Sequence, residues 1–478
     1  MESAFGLEAG AAGILKGDVG LFESWTPDTG PPRSDTDNGR RQRLRETFEN
    51  RVEIDNIVNR TDQKGSMEAK EDARIEVILL GTGTSGQVPS IACLTDPEDQ
   101  GCRCCKSEDR KDLRRNTSAL LRIHHPSNKT SPDAPSTPLH LLIDVGKSFC
   151  EAAREFFPKH NIRRLDAVLL THPHADAING LDDLRAWTLG GAIQDSIPIY
   201  CNEYTHREIS RMYPYLVNSH AKTGGGDVPQ FTWNIIRDGI SFTLFGVEIL
   251  PLPVHHGKFF ESNSKDKPYI CTSYMISKTI YYVSDVSEIP EETMTKILES
   301  HSGRGDGGGG RLKVLIIDTL RLLPHASHFG IAQAIHAAQR LNPIRTYLVG
   351  FTHRVTHDCW TYCCQAISQG RRSTDFKASS SSSSSQTNIY PPQARDLVVT
   401  EQDSGKSRQR FEVLLERGVV EDYDRFTGQA LRLIEADNPT PPLSNALALE
   451  MPWVRPAFDG LVVHTSLRSS QVTDNFYD

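Results

Sequence analysis

The pattern of hydrophobic and polar positions changes abruptly at residue 74. Residues 1–73 are polar and broken, with Trp25-Thr-Pro-Asp-Thr-Gly-Pro-Pro32 and the charged run Arg40-Arg41-Gln-Arg43-Leu-Arg45. Periodicity is confined there to a short helical stretch around 48–58. Such a segment buries too little apolar surface to offset its ordering entropy, so a mostly disordered extension is expected. From Ile75 the chain reads as buried strand: Ile75-Glu-Val-Ile-Leu-Leu80 runs into Gly81-Thr-Gly-Thr-Ser-Gly86. Further apolar runs predict strands at 139–143, 167–170, 197–200, 247–250, 279–283, 314–317 and 346–349. Helical spacing predicts helices at 147–157, 181–188, 291–299 and 329–341. The last has Ile331, Ala334, Ile335, Ala338 and Leu341 on one face and Pro343 beyond its end.

Strands interleaved with helices describe an α/β or layered α+β catalytic domain over 74–369. A Gly-rich loop at 302–311 reads as an insertion, and the serine run 379–385 marks a low-complexity, partly helical insert over 370–455. Helices are expected within that insert at 411–417 and 429–435. The segment 456–478 supplies a final strand, Phe458-Asp-Gly-Leu-Val-Val-His464, and a tail.

Composition locates the non-core sequence: 478 residues are only 37% hydrophobic. With 61 acidic against 53 basic side chains, the net charge of −8 gives no general attraction to nucleic acid or an anionic membrane. No apolar run is long enough to span a bilayer, and the N-terminal stretch lacks the basic and apolar regions of a secretory signal. A cytoplasmic protein is expected, with the nucleus as the alternative. In such a setting Cys93, Cys102, Cys104 and Cys105, crowded together out of 10 cysteines, read as a metal site rather than disulfides.

The chemistry concentrates after strand 167–170, in Thr171-His172-Pro-His174-Ala-Asp176-Ala-Ile-Asn-Gly180. Two histidines one residue apart point the same way from an extended loop, and an acid two residues on bends back to the same point. Imidazole and carboxylate are ligands for divalent metals. Other strand ends repeat the theme: His256 after 247–250, Asp285 after 279–283 and His353 after 346–349. Residues at successive strand ends converge on one edge of a sheet. His255 and His256 compete for one position, since consecutive side chains of an extended segment face opposite ways.

With these residues the sequence resembles the metallo-β-lactamase superfamily of metallohydrolases. The likeness is closer to its phosphoribosyl cyclic phosphodiesterase-like branch, through Leu80-Gly-Thr-Gly-Thr-Ser85, Arg115-Asn-Thr-Ser118, His174-Ala-Asp-Ala177, Gly180-Leu-Asp-Asp-Leu-Arg185, Pro253-Val-His-His-Gly257, Ser284-Asp285 and Ser327-His-Phe-Gly330. The resemblance implies a four-layer αββα sandwich with one or two divalent ions, zinc or manganese, at one edge. His172, His174 and His256 would hold one ion; Asp176 and His353 would serve a second, with Asp285 bridging and Asp144 supporting from behind. The superfamily pattern ends in histidine where this chain has Ala177, which weakens the second site. His328, before the helix at 329–341, would act as general acid. Cys102 and Cys105 form a C-x-x-C pair that, with Cys93 and a histidine carried over as His357, would close a structural zinc site; Cys104 is an alternative to Cys102. Cys150, Cys201, Cys271, Cys359, Cys363 and Cys364 read as buried or free thiols.

The resemblance therefore implies a phosphodiesterase acting on a cyclic phosphate or nucleotide-like diester through a metal-bound hydroxide positioned by Asp176. Arg115 and Arg185 are candidate phosphate partners or structural ion pairs. The alternatives are a tRNA 3′-processing-type endoribonuclease, a glyoxalase-type thioesterase and a weakly catalytic metal-binding protein. The expected partner is a small-molecule phosphodiester. Nucleic acid is less favoured, no membrane is involved, and a homodimer is admissible.

Overall fold

Along Arg74–Gly81 (β1) successive side chains point to opposite sides, and nearly all are buried. Ile75, Val77 and Leu79 enter one apolar cluster while Ile78 and Leu80 enter another, so this strand lies inside a layered structure with apolar matter on both faces. A computed structural model describes residues 73–97, 101–124, 137–260, 267–301, 310–376, 422–436, 451–467 and 469–477. The extension over 1–72, the Gly-rich stretch 302–309, the serine run and the helix expected at 411–417 lie outside the described residues.

Two sheets carry the domain. The first joins β1 to Ser118–His124 (β2), Leu139–Ile143 (β3), Ala167–Leu169 (β4), Ile197–Asn202 (β5) and Phe231–Ile236 (β6) on one side. On its other side lie Val462–Ser466 (β14) and Val472–Asp474 (β15). The second sheet contains Phe242–Leu244 (β7), Val247–Lys258 (β8), Pro268–Ile276 (β9), Ile280–Val283 (β10), Val314–Asp318 (β11), Arg345–Val349 (β12) and Val454–Pro456 (β13), adjacent in that order. β3 through β6 run parallel, as do β10 through β13, which sets their C-terminal ends along common edges.

Three apolar layers hold the sheets and helices together. Val77, Leu121, Ile143 and Leu169 meet Ile249, Tyr274, Ile316 and Val349 between the sheets. Helix Phe149–Lys159 packs Phe149, Phe156 and Phe157 on the outer face of the first sheet. Helices Glu291–His301, Ile331–Leu341, His357–Ser368 and Tyr423–Ala436 cover the outer face of the second. The result is a four-layer αββα sandwich.

The strong periodicities map onto these elements with ends displaced by a few residues, except that the strand expected at 247–250 runs on to Lys258 and includes His256. The stretch 181–188 splits into a short 3₁₀ turn, Leu181–Leu184, and one helical turn, Arg185–Thr188. Helix His357–Ser368 was not expected, although Cys359, Trp360, Cys363, Cys364 and Ile367 form a buried stripe at helical spacing. Helix Tyr423–Ala436 follows the serine run, yet its Phe426, Ala430, Leu431 and Ile434 belong to the core over the second sheet. The final strand begins at Val462 rather than Phe458, and β15 follows it.

Candidate functional site

The site is assembled from strand ends. After β4 the chain continues through Leu170 and Thr171 to His172, and His174 then caps the single turn Ala175–Ile178 that carries Asp176. Asp144, just after β3, lies beneath this loop with φ 61°, a left-handed conformation that costs non-glycine residues roughly 1–2 kcal/mol. Its carboxylate accepts the Thr171 backbone N–H and the Thr171 hydroxyl, each at 2.8 Å. With that hydroxyl proton committed to Asp144, the Thr171 oxygen, 2.8 Å from His172 Nδ1, accepts the ring N–H. His172 thus presents Nε2 as a lone pair, and that buried atom has no hydrogen-bond partner.

His256 completes the group from β8. Its Nδ1 donates to the Ser327 carbonyl at 2.7 Å, which frees Nε2 to stand 3.2 Å from His174 Nδ1. The three rings lie within 4.6 to 5.1 Å of one another, centroid to centroid. Tetrahedral zinc with nitrogen ligands sets them about 3.3 Å apart; the His256–His174 separation matches that spacing, and all three residues offer ligand atoms within 4.8 Å of one another. Burial holds His172 well below the usual imidazole range. Burial and the neighbouring His256 bring His174 down to about 4. Both rings are neutral at physiological pH, as metal ligation demands. Strand alternation turns His255 the other way, onto Glu288 at 2.9 Å.

Beside the histidines is a small pocket lined by Asp144, Asp176, Ala177, Asp285 and His328. Asp285 follows β10, and His256, Asp285 and His328 offer ligand atoms within 4.8 Å of one another. His328 Nδ1 is 2.8 Å from Asp318 and 3.7 Å from Asp285. Burial alone would lower His328, but the Asp318 and Asp285 carboxylates outweigh it and raise the ring to about 9. Burial raises Asp285, yet the facing histidines pull it well below the usual carboxylate range. Burial, reinforced by Asp285, raises Asp176 to about 6. Asp318, which sequence reasoning missed, ends β11 and is wholly buried. It stands at a strand end like Asp144 and Asp285, and the same rule would have found it.

A second cluster stands apart. Cys93, Cys102 and Cys105 surround His353 Nδ1 at 3.4, 3.3 and 3.5 Å, and the sulfurs of Cys93 and Cys102 are 3.7 Å apart. A tetrahedral zinc with three thiolates and one imidazole implies separations of about 3.5 Å from nitrogen to sulfur and about 3.8 Å between sulfurs. The donor set and its spacing fit such an ion. Cys104 turns away toward the Asp112 carbonyl, and burial raises its thiol to about 12.

This arrangement corrects the two histidines after β12. His353, expected beside Asp176, faces the cysteines; His357, expected with the cysteines, does not reach them. The chain turns sharply at Gly350, φ 84°, and buried Arg114 then holds the Thr352 and Val355 carbonyls with its two terminal nitrogens. That clamp fixes which way His353 points. His357 opens the next helix, with its ring packed against Phe458 and Tyr477 and its Nε2 3.0 Å from the Tyr477 hydroxyl.

The two candidate arginines are engaged in ion pairs. Arg115 binds Glu155 at 2.7 Å under cover, and exposed Arg185 binds Asp182 at 2.7 Å. Neither is among the residues lining the open cleft of about 1380 Å³ that leads to His174, His256 and His328.

Residues 140–351 match the description "beta-lactamase superfamily domain". That stretch includes His172, His174, Asp176, His256, Asp285 and His328. Over this stretch the chain is similar to the metallo-β-lactamase superfamily of hydrolases. A domain of that kind implies divalent metal ions, and the His and Asp cluster just described offers the ligand atoms that could hold one. It is 28% identical over 279 residues to a Porphyromonas gingivalis protein named octanoyltransferase, covering 58% of this chain and 46% of that one. The chain therefore spans about half the length of that curated relative. Among solved structures it is similar to a diphosphatase from the PhnP family, with 26% identity, coverage of 60% and 89%, and a TM-score of 0.44. It is similar too to the metallo-β-lactamase fold protein YhfI from Bacillus subtilis, with 15% identity, coverage of 60% and 90%, and a TM-score of 0.36. Among the described residues no helix is long and apolar enough to cross a membrane.

Proposed function

We propose that this protein is a metal-dependent phosphodiesterase acting on a cyclic phosphate or nucleotide-like phosphodiester. The observation that carries the reading is the His328–Asp318 pair set beside the three-histidine group. His172, His174 and His256 would hold a divalent ion, which when bound would acidify water toward a pKa of ~7 and supply positive charge to balance the phosphate. Imidazole nitrogens suit zinc, and the nearby carboxylates of Asp176 and Asp285 suit manganese as well. Asp176, with a pKa of about 6, is largely ionised at neutral pH and close to the best value for a general base.

His328 separates ester classes. Engaged with Asp318 through Nδ1, the ring keeps Nε2 for the cleft it lines, and its pKa of about 9 keeps it protonated at neutral pH. Expulsion of a sugar oxygen requires a proton at that atom, because an alkoxide is strongly basic. A thiolate leaves without one, so a buried, carboxylate-held acid favours the phosphodiester over the thioester. With His353 turned to the cysteines and Ala177 in place of a ligand, we assign one ion to the active site and one zinc to the Cys₃His cluster, which is closed by protein ligands and stabilises the loop around it. The thiols of that cluster suit a reducing compartment such as the cytoplasm.

The test is metal content together with hydrolysis of bis(p-nitrophenyl) phosphate by wild type and Asp176→Ala, with a glutathione thioester run in parallel. Zinc- or manganese-dependent phosphodiester turnover that Asp176→Ala removes supports the reading. Turnover of the thioester alone would sink it.

A further inference from the structure

We infer that the cleft is a nucleoside subsite, with Tyr204, Phe259, Phe260 and Tyr269 forming the wall that takes the base of a nucleoside phosphodiester. The inference rests on the phosphodiesterase reading and names the substrate class for that same site. Its first step is the contact between the wall and the metal centre. Tyr269 stacks on the His174 ring at 4.7 Å with an interplanar angle of 6°. Phe259 follows at 5.3 Å from Tyr269, and Tyr204 lies 5.9 Å from Tyr269 and 6.2 Å from Phe259. Phe260, on the same cleft, is 88% exposed. An aromatic surface thus starts at a metal ligand and continues outward to a large apolar ring facing water.

A phosphate sits where the metal and His328 act, so whatever is attached to it lies along this wall. Aromatic rings favour flat partners with their own π-face, and base stacking of this kind is tolerant of which base is present. The cleft lining also includes the hydroxyl residues Thr84, Ser85, Ser327 and Thr352, groups that suit a ribose. Charge argues the same way. Apart from the histidines, Lys258 is the one cation among the described residues lining the cleft, less than a polyphosphate or a run of RNA phosphates calls for. A flexible acyl chain would be buried by the wall but would gain nothing from its ring geometry.

The experiment compares, on the zinc-loaded full chain, adenosine 2′,3′-cyclic phosphate with methyl riboside 2,3-cyclic phosphate, which has the same reacting group and no base. Wild type is expected to favour the base-bearing substrate in kcat/KM by tenfold or more. Phe260→Ala and Phe259→Leu should shrink that ratio about five- to tenfold, mainly through KM, and Phe259→Trp should keep it. A ratio near one in wild type, or a ratio the variants leave untouched, overturns the subsite. Bis(p-nitrophenyl) phosphate separates the two levels. Its hydrolysis without base preference overturns the subsite alone, whereas no hydrolysis of any of the three diesters overturns the phosphodiesterase reading and the subsite with it.

Discussion

Asp318, fully buried at the end of β11, holds His328 Nδ1 at 2.8 Å and so fixes both the orientation and the charge of a ring that faces the cleft. Because the carboxylate raises His328 from 6.5 to about 9, the proton is bound below that pH and lost above it. Turnover of an alkyl phosphodiester should therefore hold through neutral pH and fall as pH rises past about 9. His328→Ala should cost about 10²–10⁴ in kcat for an alkyl leaving group. The loss should be far smaller for p-nitrophenolate, which leaves unaided. Asp318→Asn should move the alkaline limb toward 6.5. Equal losses for both leaving groups in His328→Ala would contradict a role in proton donation.

The pair bears on stability with a definite sign. A histidine whose folded pKa is raised contributes fully below about 6.5, its unfolded value, and loses that contribution as pH climbs through about 9. Asp318→Asn should lower the melting temperature at pH 6 and make less difference at pH 10, a comparison that calorimetry reads directly.

Exchange of the two histidine roles after β12 is testable by metal content. His353→Ala and Cys102→Ser should each release the same single zinc ion and lower the melting temperature, because the ion closes a loop that lacks a large core of its own. His357→Ala should keep that zinc while still destabilising the fold, since its ring is buried against Phe458 and Tyr477. Retention of full zinc in His353→Ala would contradict the assignment.

The Asp144–Thr171–His172 chain orients the His172 ring, with Nε2 left as the lone pair that would meet an ion. Thr171→Val removes the acceptor for His172 Nδ1–H and should weaken active-site metal affinity about 10- to 100-fold, as substitutions behind metal ligands do. Competition with a chelator dye measures it, and the Cys₃His zinc should be unaffected.

Helix Tyr423–Ala436 belongs to the core over the second sheet although it follows the serine run. Leu431, 1% exposed, fills that core, so Leu431→Ala should cost about 2–5 kcal/mol in urea unfolding. A loss below about 0.5 kcal/mol would mean that the helix contributes little to this domain.

Much of this site could be read from the chain because each polar ligand follows an apolar run. His172, His174 and Asp285 stand out as chemistry just past the ends of strands with parallel neighbours, which deliver such ends to one edge, whereas His256 lies near the end of antiparallel β8. His353 and His357 were beyond that reasoning. Both follow the same strand, and the choice between them is made by Gly350 and by Arg114, an arginine from a distant strand end. Tyr269 escaped notice for a related reason: its part in the site is a stacking contact with His174, which no spacing in the sequence encodes. Helix His357–Ser368 was legible in its buried stripe, where Cys359, Cys363 and Cys364, read one by one as buried or free thiols, share a face with Trp360 and Ile367.

The pairing of β1 with β14 carries one more consequence. Arg74 lies opposite Ser466, and Thr82 bonds Asp459 across 377 positions of sequence. During synthesis, the strand that opens the domain waits with one edge unpaired until Val462–Ser466 emerges. Contacts so distant make closure slow, and an unpaired strand edge is a template for other chains. The cost of building this fold therefore falls on the nascent chain, before any histidine has met its metal.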